Sequence, residues 1–239
     1  MKRLPILSAA ILTLAALTLQ SAETQAQTQP EKPRDWANYT RYAQANAEQK
    51  SRPTPPDAVF MGNSITDGWA SQHPDFFEAN NYVGRGISGQ VTAQMLARFR
   101  ADVLDLRPKA VAILAGTNDL AQNEGFVSIE NIAGNIISMA ELARAHGIRV
   151  AICSVLPADD YPWRPAITGV PEMVRSLNEL LAAWASVNGC VYVDYFSAMD
   201  DGNGGLPPSL ARDGIHPTSA GYDIMEGIIK PAIDRLLVD

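Results

Sequence analysis

From Ala58 onward, short apolar runs alternate with segments whose apolar residues recur at helical spacing. Ala58–Met61, Asn81–Val83, Ala110–Ala115, Arg149–Val155 and Val191–Asp194 read as strands, being short and bounded by polar or turn-forming residues. Between them, Val91–Leu106, Ile129–His146 and Glu172–Val187 show helical periodicity, and the last should bury Met173, Leu177, Leu180, Leu181 and Trp184. A closing helix is expected from about Ser219 to Leu237. Alternation of this kind specifies a mostly parallel sheet, because each crossover between parallel strands uses a helix and right-handed crossovers leave few topologies. The expected fold class is α/β, a three-layer α/β/α sandwich around a parallel five-stranded flavodoxin-like sheet.

Before Ala58 the pattern changes twice. Lys2 and Arg3 precede the apolar stretch Leu4 to Leu19, and Thr24-Gln25-Ala26 offers a small-x-small cleavage pattern, so residues 1–26 read as a secretory signal peptide. Pro5, Ser8, Thr13 and Thr18 interrupt the apolar run, which falls short of a membrane span, and no Cys near its end suggests a lipid-modified terminus. The expectation is an exported protein, periplasmic or extracellular, with no membrane span after cleavage. Residues 27–34 are rich in Gln and Pro. Residues 35–50 are predicted helical, capped by Asp35, with Trp36, Tyr39 and Tyr42 as a docking stripe and Pro53, Pro55 and Pro56 as the stop. The organisation is therefore 1–26 leader, 27–56 polar segment and docking helix, and 57–239 main domain.

Composition narrows the class. Of 239 residues, 46% are hydrophobic and 19% charged, which is enough to bury one ordinary core. The net charge is −7, and the chain without Lys2, Arg3 and Glu23 of the leader carries −8. An acidic chain without a Lys/Arg cluster argues against nucleic acid or an anionic membrane surface as partner. Cys153 and Cys190 could oxidise after export. With their strands in parallel register, however, Cys190 begins its strand and Cys153 lies about three residues into its own, an offset of roughly 10 Å. Two buried free thiols are expected. His73, His146 and His216 are dispersed and form no metal-binding spacing, so neither metal nor cofactor is expected.

In such sheets the ligand crevice lies at the carboxyl ends of the strands, and four unusual segments fall there. Gly62-Asn63-Ser64-Ile65-Thr66-Asp67-Gly68 places a serine at a strand-to-helix turn, where it can be either a cap or an exposed nucleophile near helix N–H groups. Thr66 excludes the G-x-S-x-G elbow. Gly84-Arg85-Gly86-Ile87-Ser88-Gly89 can point backbone N–H groups at a ligand, or simply turn the chain. In Gly116-Thr117-Asn118-Asp119 the Asn amide can donate to a developing oxyanion, while Asp119 is assigned to capping a turn. In Asp213-Gly214-Ile215-His216-Pro217 the carboxylate can bend round to accept one imidazole N–H, aiming the other nitrogen at a nucleophile. His73 and His146 lack such partners and read as structural.

Taken together, the four segments resemble the blocks of the SGNH (GDSL-like) hydrolase family, in the branch of platelet-activating-factor acetylhydrolase-like esterases, from about Val59 to the C-terminus. The resemblance implies Ser64 as nucleophile, His216 as general base held by Asp213, and an oxyanion hole from the Ser64 amide, Gly89 and Asn118. It implies two-step acyl transfer through an acyl-enzyme, without a cofactor. Two positions depart from the family pattern: Asn63 stands where the first block usually has Asp, and Gly84 where the second often has Asn.

Substrate-shaping residues are expected around Trp69 and in the loop Leu156–Val170, with Trp163 and Arg164 as candidate contacts for a sugar ring or polar head group. That loop and the one after Asp194 carry many Pro, Asp and Gly residues and little apolar lining, which favours a short acyl group. The reading is a short-chain esterase, on O-acetyl groups of a saccharide or another small acyl ester. A lysophospholipase and a non-catalytic carbohydrate-binding module of the same fold are the alternatives.

Overall fold

The computed structural model describes residues 35–238; the predicted signal peptide and the polar segment 27–34 lie outside the described residues. In chain order come α1 (Ala43–Ser51), β1 (Ala58–Gly62), α2 (Ser64–Gln72), α3 (Pro74–Ala79), β2 (Tyr82–Gly86) and α4 (Thr92–Asp102). A short 3-10 turn, Leu104–Leu106, leads to β3 (Ala110–Leu114) and α5 (Thr117–Leu120). Then follow α6 (Ile129–Ala145), β4 (Arg149–Cys153), α7 (Val170–Val187), β5 (Val191–Val193), α8 (Phe196–Met199) and α9 (Ser219–Val238).

All five strands are parallel and ordered β2-β1-β3-β4-β5, the flavodoxin-like arrangement expected from the alternation. Every residue of β1 and β3 is buried, as strands covered on both faces must be. One face presents Val59, Met61, Val111, Ile113, Val150 and Ile152 to α4, α6 and α7. The other presents Ala58, Ala110, Ala112 and Ala151, small residues over which the side chains of α2, α3 and α9 settle. β1 and β3 are in straight register, so Gly62 and Leu114 end together at the edge where the polar segments emerge.

Three expectations need correction. Residues 35–42 are turns and not the start of a helix: the Asp35 carboxylate accepts from the Tyr39 and Thr40 amides at 2.9 Å each, and Asn38 takes φ +55°. A side chain that captures local N–H groups this way competes with the helical ladder. Trp36 and Tyr39 consequently stay about half exposed, and α1 buries the polar Asn46 and Gln49. Along α7 the buried stripe is Val170, Val174, Leu177, Leu181 and Ala185, with Asn178; Leu180 is exposed, and Met173 and Trp184 only flank the core. The cysteines differ from expectation only in burial: both are free, and Cys153 pairs in register with Val193, three residues beyond Cys190, as the offset required. Cys153 is fully buried, which pushes its thiol up to about 12, whereas Cys190 near the sheet edge is half-buried.

Candidate active site

At the carboxyl edge of the sheet, β1 ends at Gly62, Asn63 caps the next helix, and Ser64 is its first residue. Asn63, at the N-cap position, makes no side-chain cap bond, and the Ser64 hydroxyl lies 2.9 Å from His216 Nε2. Ser64 lies one position inside the cap, and its amide is among the first-turn N–H groups that lack helical partners.

His216 is held by the turn that carries it. Asp213 Oδ1 accepts from the Ile215 and His216 amides at 3.0 and 2.7 Å, and Asp213 Oδ2 lies 2.7 Å from His216 Nδ1. Partial burial pushes the Asp213 carboxyl up, but the His216 amide, the imidazole and the Ile215 amide together outweigh it and hold the group at about 2. The carboxylate therefore stays ionised through the physiological range and keeps the proton on Nδ1, so that Nε2 accepts from Ser64. Both side chains are about half exposed, open to solvent and to a substrate.

Gly89 lies in an exposed turn after β2. Asn118 sits in the four-residue α5, buried, and its Nδ2 donates to the Gln90 carbonyl at 2.9 Å. That bond ties the amide to the Gly89 turn and leaves its second hydrogen unassigned. Gly116 enables the sharp entry: it takes φ +126°, and a Cβ there would meet Leu177 Cδ2 at 2.7 Å. Asp119 does cap, though not its own turn. It accepts from the Thr92 amide at 3.0 Å and the Thr92 hydroxyl at 2.6 Å, at the first residue of α4. Burial raises its carboxyl to about 6 against these hydrogen bonds.

The sequence pattern did not reveal what braces these loops. Arg98, fully buried, donates to Gln90 Oε1 (2.6 Å), Asp102 Oδ2 (2.7 Å) and the Gly62 carbonyl (2.9 Å), joining α4 to the end of β1 and the Gly89 turn. Read from sequence, Arg98 and Asp102 are an ordinary surface i,i+4 pair; only their lack of exposure shows otherwise. From the N-terminal turns, the Tyr42 hydroxyl donates to the Gly86 carbonyl, and Arg41 pairs with Asp67, which also accepts from Ser88 Oγ. Gln90 Nε2 donates to the Ala37 carbonyl at 2.8 Å.

The expected substrate contacts divide. Trp69 is 1% exposed, packed among Phe60, Phe76 and Tyr222, with its indole N–H on Glu226; it is core and shapes no substrate surface. It follows Ser64 closely in sequence, but the α2 turn directs it under the sheet. Trp163 is 42% exposed, and its indole N–H donates to Asn123 Oδ1 at 2.8 Å. Arg164 reaches the Asn123 carbonyl at 3.4 Å. Beside His216 opens a cleft of about 470 Å³ lined by Gln72, Arg212, Pro217, Thr218 and Ser219. His73 pins α2 to α9 through Glu226 (2.8 Å) and Ser219 (2.9 Å), and His146 bonds the Leu142 carbonyl. His73, Asp223 and Glu226 gather within cation-binding distance, but Nδ1 of His73 and Oε1 of Glu226 are bonded to each other.

Both departures from the family pattern have structural consequences. A Cβ at Gly84 would lie 2.6 Å from that of Ala70, so α2 packs too close to β2 for an Asn there. Asn63 is buried, and its Nδ2 finds no partner among the described residues.

Residues 60–224 match the model of the GDSL-like Lipase/Acylhydrolase family. A GDSL-like lipase structure from Bacteroides thetaiotaomicron is 48% identical and superposes with a TM-score of 0.78, covering 83% of this chain and 98% of its own. Esterase TesA of Pseudomonas aeruginosa is 25% identical over 181 residues, 74% of this chain and 83% of that one. An uncharacterized lipoprotein of Bacillus subtilis is 31% identical over 118 residues, 42% of this chain; the match spans about half of that relative. With its parallel sheet and a family match over most of its length, the chain belongs to the GDSL-like lipase/acylhydrolase family of ester hydrolases.

Proposed function

We propose that this protein is an exported serine esterase in which Ser64, His216 and Asp213 form the catalytic triad and the Ser64 and Gly89 amides with Asn118 Nδ2 form the oxyanion hole. The observation that carries the reading is the continuous chain Asp213 Oδ2–His216 Nδ1 (2.7 Å) and His216 Nε2–Ser64 Oγ (2.9 Å), open at the sheet edge. Ser64 Oγ attacks the ester carbonyl as His216 Nε2 takes its proton; the imidazolium is stabilised by Asp213 and returns the proton to the departing alcohol. Water, deprotonated by His216, then releases the acid and restores Ser64. A binding module would have no use for this aligned set. Export rests on the N-terminal pattern and on the lipoprotein among the relatives.

The substrate we propose is a short acyl ester, O-acetyl above all, on a hydroxylated alcohol such as a saccharide. Supporting this, the cleft beside His216 is lined by Gln72, Arg212, Thr218 and Ser219, hydrogen-bonding side chains suited to hydroxyl groups. One feature favours the second reading, a lipid ester: an apolar groove of about 280 Å³ runs past α5 between Leu120, Phe126, Val127, Ile129 and Met173. A series of p-nitrophenyl esters measured beside acetylated oligosaccharides separates the two. The proposal expects kcat/KM to be highest for acetyl or propionyl and to fall by octanoyl. A rise through octanoyl, below any micelle-forming concentration, would move the lipid reading to first place, since each methylene buried in a lined groove contributes about 0.8 kcal/mol.

A further inference from the structure

We propose that Asn123 and Trp163 are positioning residues that fix the orientation of the Asn118 amide, through a one-way hydrogen-bond relay running from the surface into the oxyanion hole. The inference rests on the role of Asn118 proposed above.

The backbone sets the relay up. After α5 the Gln122 amide donates to the Asp119 carbonyl (2.9 Å) and the Asn123 amide to the Asn118 carbonyl (3.0 Å), the paired bonds of a Schellman closure. Gln122 occupies the left-handed position, φ +53°, where glycine is usual. This closure folds Asn123 back over Asn118, five residues earlier, and the side chains then meet: Asn123 Nδ2 donates to Asn118 Oδ1 at 3.0 Å. Trp163, from the loop between β4 and α7, donates its indole N–H to Asn123 Oδ1 at 2.8 Å. At the inner end Asn118 Nδ2 donates to the Gln90 carbonyl at 2.9 Å.

The direction of this chain is determined from both ends. A backbone carbonyl can only accept, so Asn118 must turn its NH₂ toward Gln90 and its oxygen toward Asn123. An indole N–H can only donate, so Asn123 must turn its oxygen toward Trp163 and its NH₂ toward Asn118. The two requirements agree, and each bond polarises the next. A flipped Asn118 would set its oxygen against the Gln90 carbonyl and offer no N–H to an oxyanion. The relay excludes that state, and the excluded state is one that catalysis cannot use. Because the outer residues are partly exposed, water competes for their bonds, so the effect is a modest one on the transition state and not an all-or-none switch.

The test is a double-mutant cycle on hydrolysis of a short-chain ester, with melting curves for each variant. Asn123→Ala should lower kcat about three- to tenfold with KM within about twofold. Asn123→Asp, nearly the same shape, should be at least as damaging, because its carboxylate confronts Asn118 Oδ1; a purely structural role would tolerate it better than Ala. Trp163→Phe keeps the ring but removes the N–H, and should lower kcat about two- to threefold. In an Asn118→Ala background all three should lose their effect, each changing kcat by no more than about 1.3-fold. Equal losses in both backgrounds, or wild-type kcat in Asn123→Asp, would overturn the relay. Should Asn123→Ala not fold, Asn123→Asp and Trp163→Phe decide by the same criteria. If Asn118→Ala itself leaves kcat unchanged, what fails is the proposed oxyanion hole, and the cycle shows which of the two ideas is wrong.

Discussion

At the scale of single residues, the chemistry depends on a few polar atoms whose neighbours fix their orientation. Asn118→Ala should lower kcat roughly a hundredfold to a thousandfold, about 3–4 kcal/mol, with a smaller change in KM, since the donor acts mainly in the transition state. Steady-state kinetics on an ester whose chemistry limits the rate check this; near wild-type kcat would remove Asn118 from the mechanism. Asp119 gives a pH signature of its own. Its folded carboxyl titrates near 6 against an ordinary 3.8, so between those values the folded state binds more proton than the unfolded one, and this group's contribution to stability declines as pH rises. Asp213 is opposite in sign: held near 2, it stabilises above the ordinary carboxylate range and loses that contribution only as pH falls from about 4 toward 2. Thermal melts from pH 4 to 7 should therefore show a decline between pH 4 and 6 that Asp119→Asn flattens. An unchanged slope in the variant would assign the decline to other groups. Ser64, Asp213 and His216, which meet at the sheet edge, could be singled out from sequence because each stood out against the strand-helix pattern. Trp69 misled because sequence proximity to Ser64 says nothing about which way α2 turns it.

At the scale of elements, loops at the sheet edge are held by buried polar groups that periodicity does not see. Arg98 fastens α4 to the Gly62 carbonyl and to Gln90, and Asp102 also accepts from Asn46 of α1 at 2.6 Å. Replacing Arg98 with Met leaves Asp102 buried without its cation and strips donors from two acceptors. That should cost about 3–5 kcal/mol, a fall in Tm of roughly ten degrees. Differential scanning calorimetry measures it, and a loss below about 1 kcal/mol would mean the network is not what anchors the Gly89 turn. Strands and long helices were legible because apolar burial writes a period into the chain. Residues 35–42 were not, because there the Asp35 carboxylate and a left-handed Asn38 overrode an aromatic spacing that merely resembled a helix.

At the scale of the whole molecule, a flavodoxin-like sheet brings segments 152 residues apart, Ser64 and His216, to one edge. Alternation and handedness left few topologies, of which the flavodoxin-like order is the one realised, whereas the cleft and groove beside the site came only with the packed loops, so substrate preference was the least legible property. In the proposed mechanism Ser64 is an activated nucleophile, its hydroxyl aligned with His216 Nε2. Mass spectrometry of the folded protein after exposure to a fluorophosphonate tests it most directly. One covalent adduct is expected, on the peptide carrying Ser64, absent in Ser64→Ala and strongly slowed in His216→Ala. No adduct on folded protein, or labelling that persists in Ser64→Ala, would contradict it.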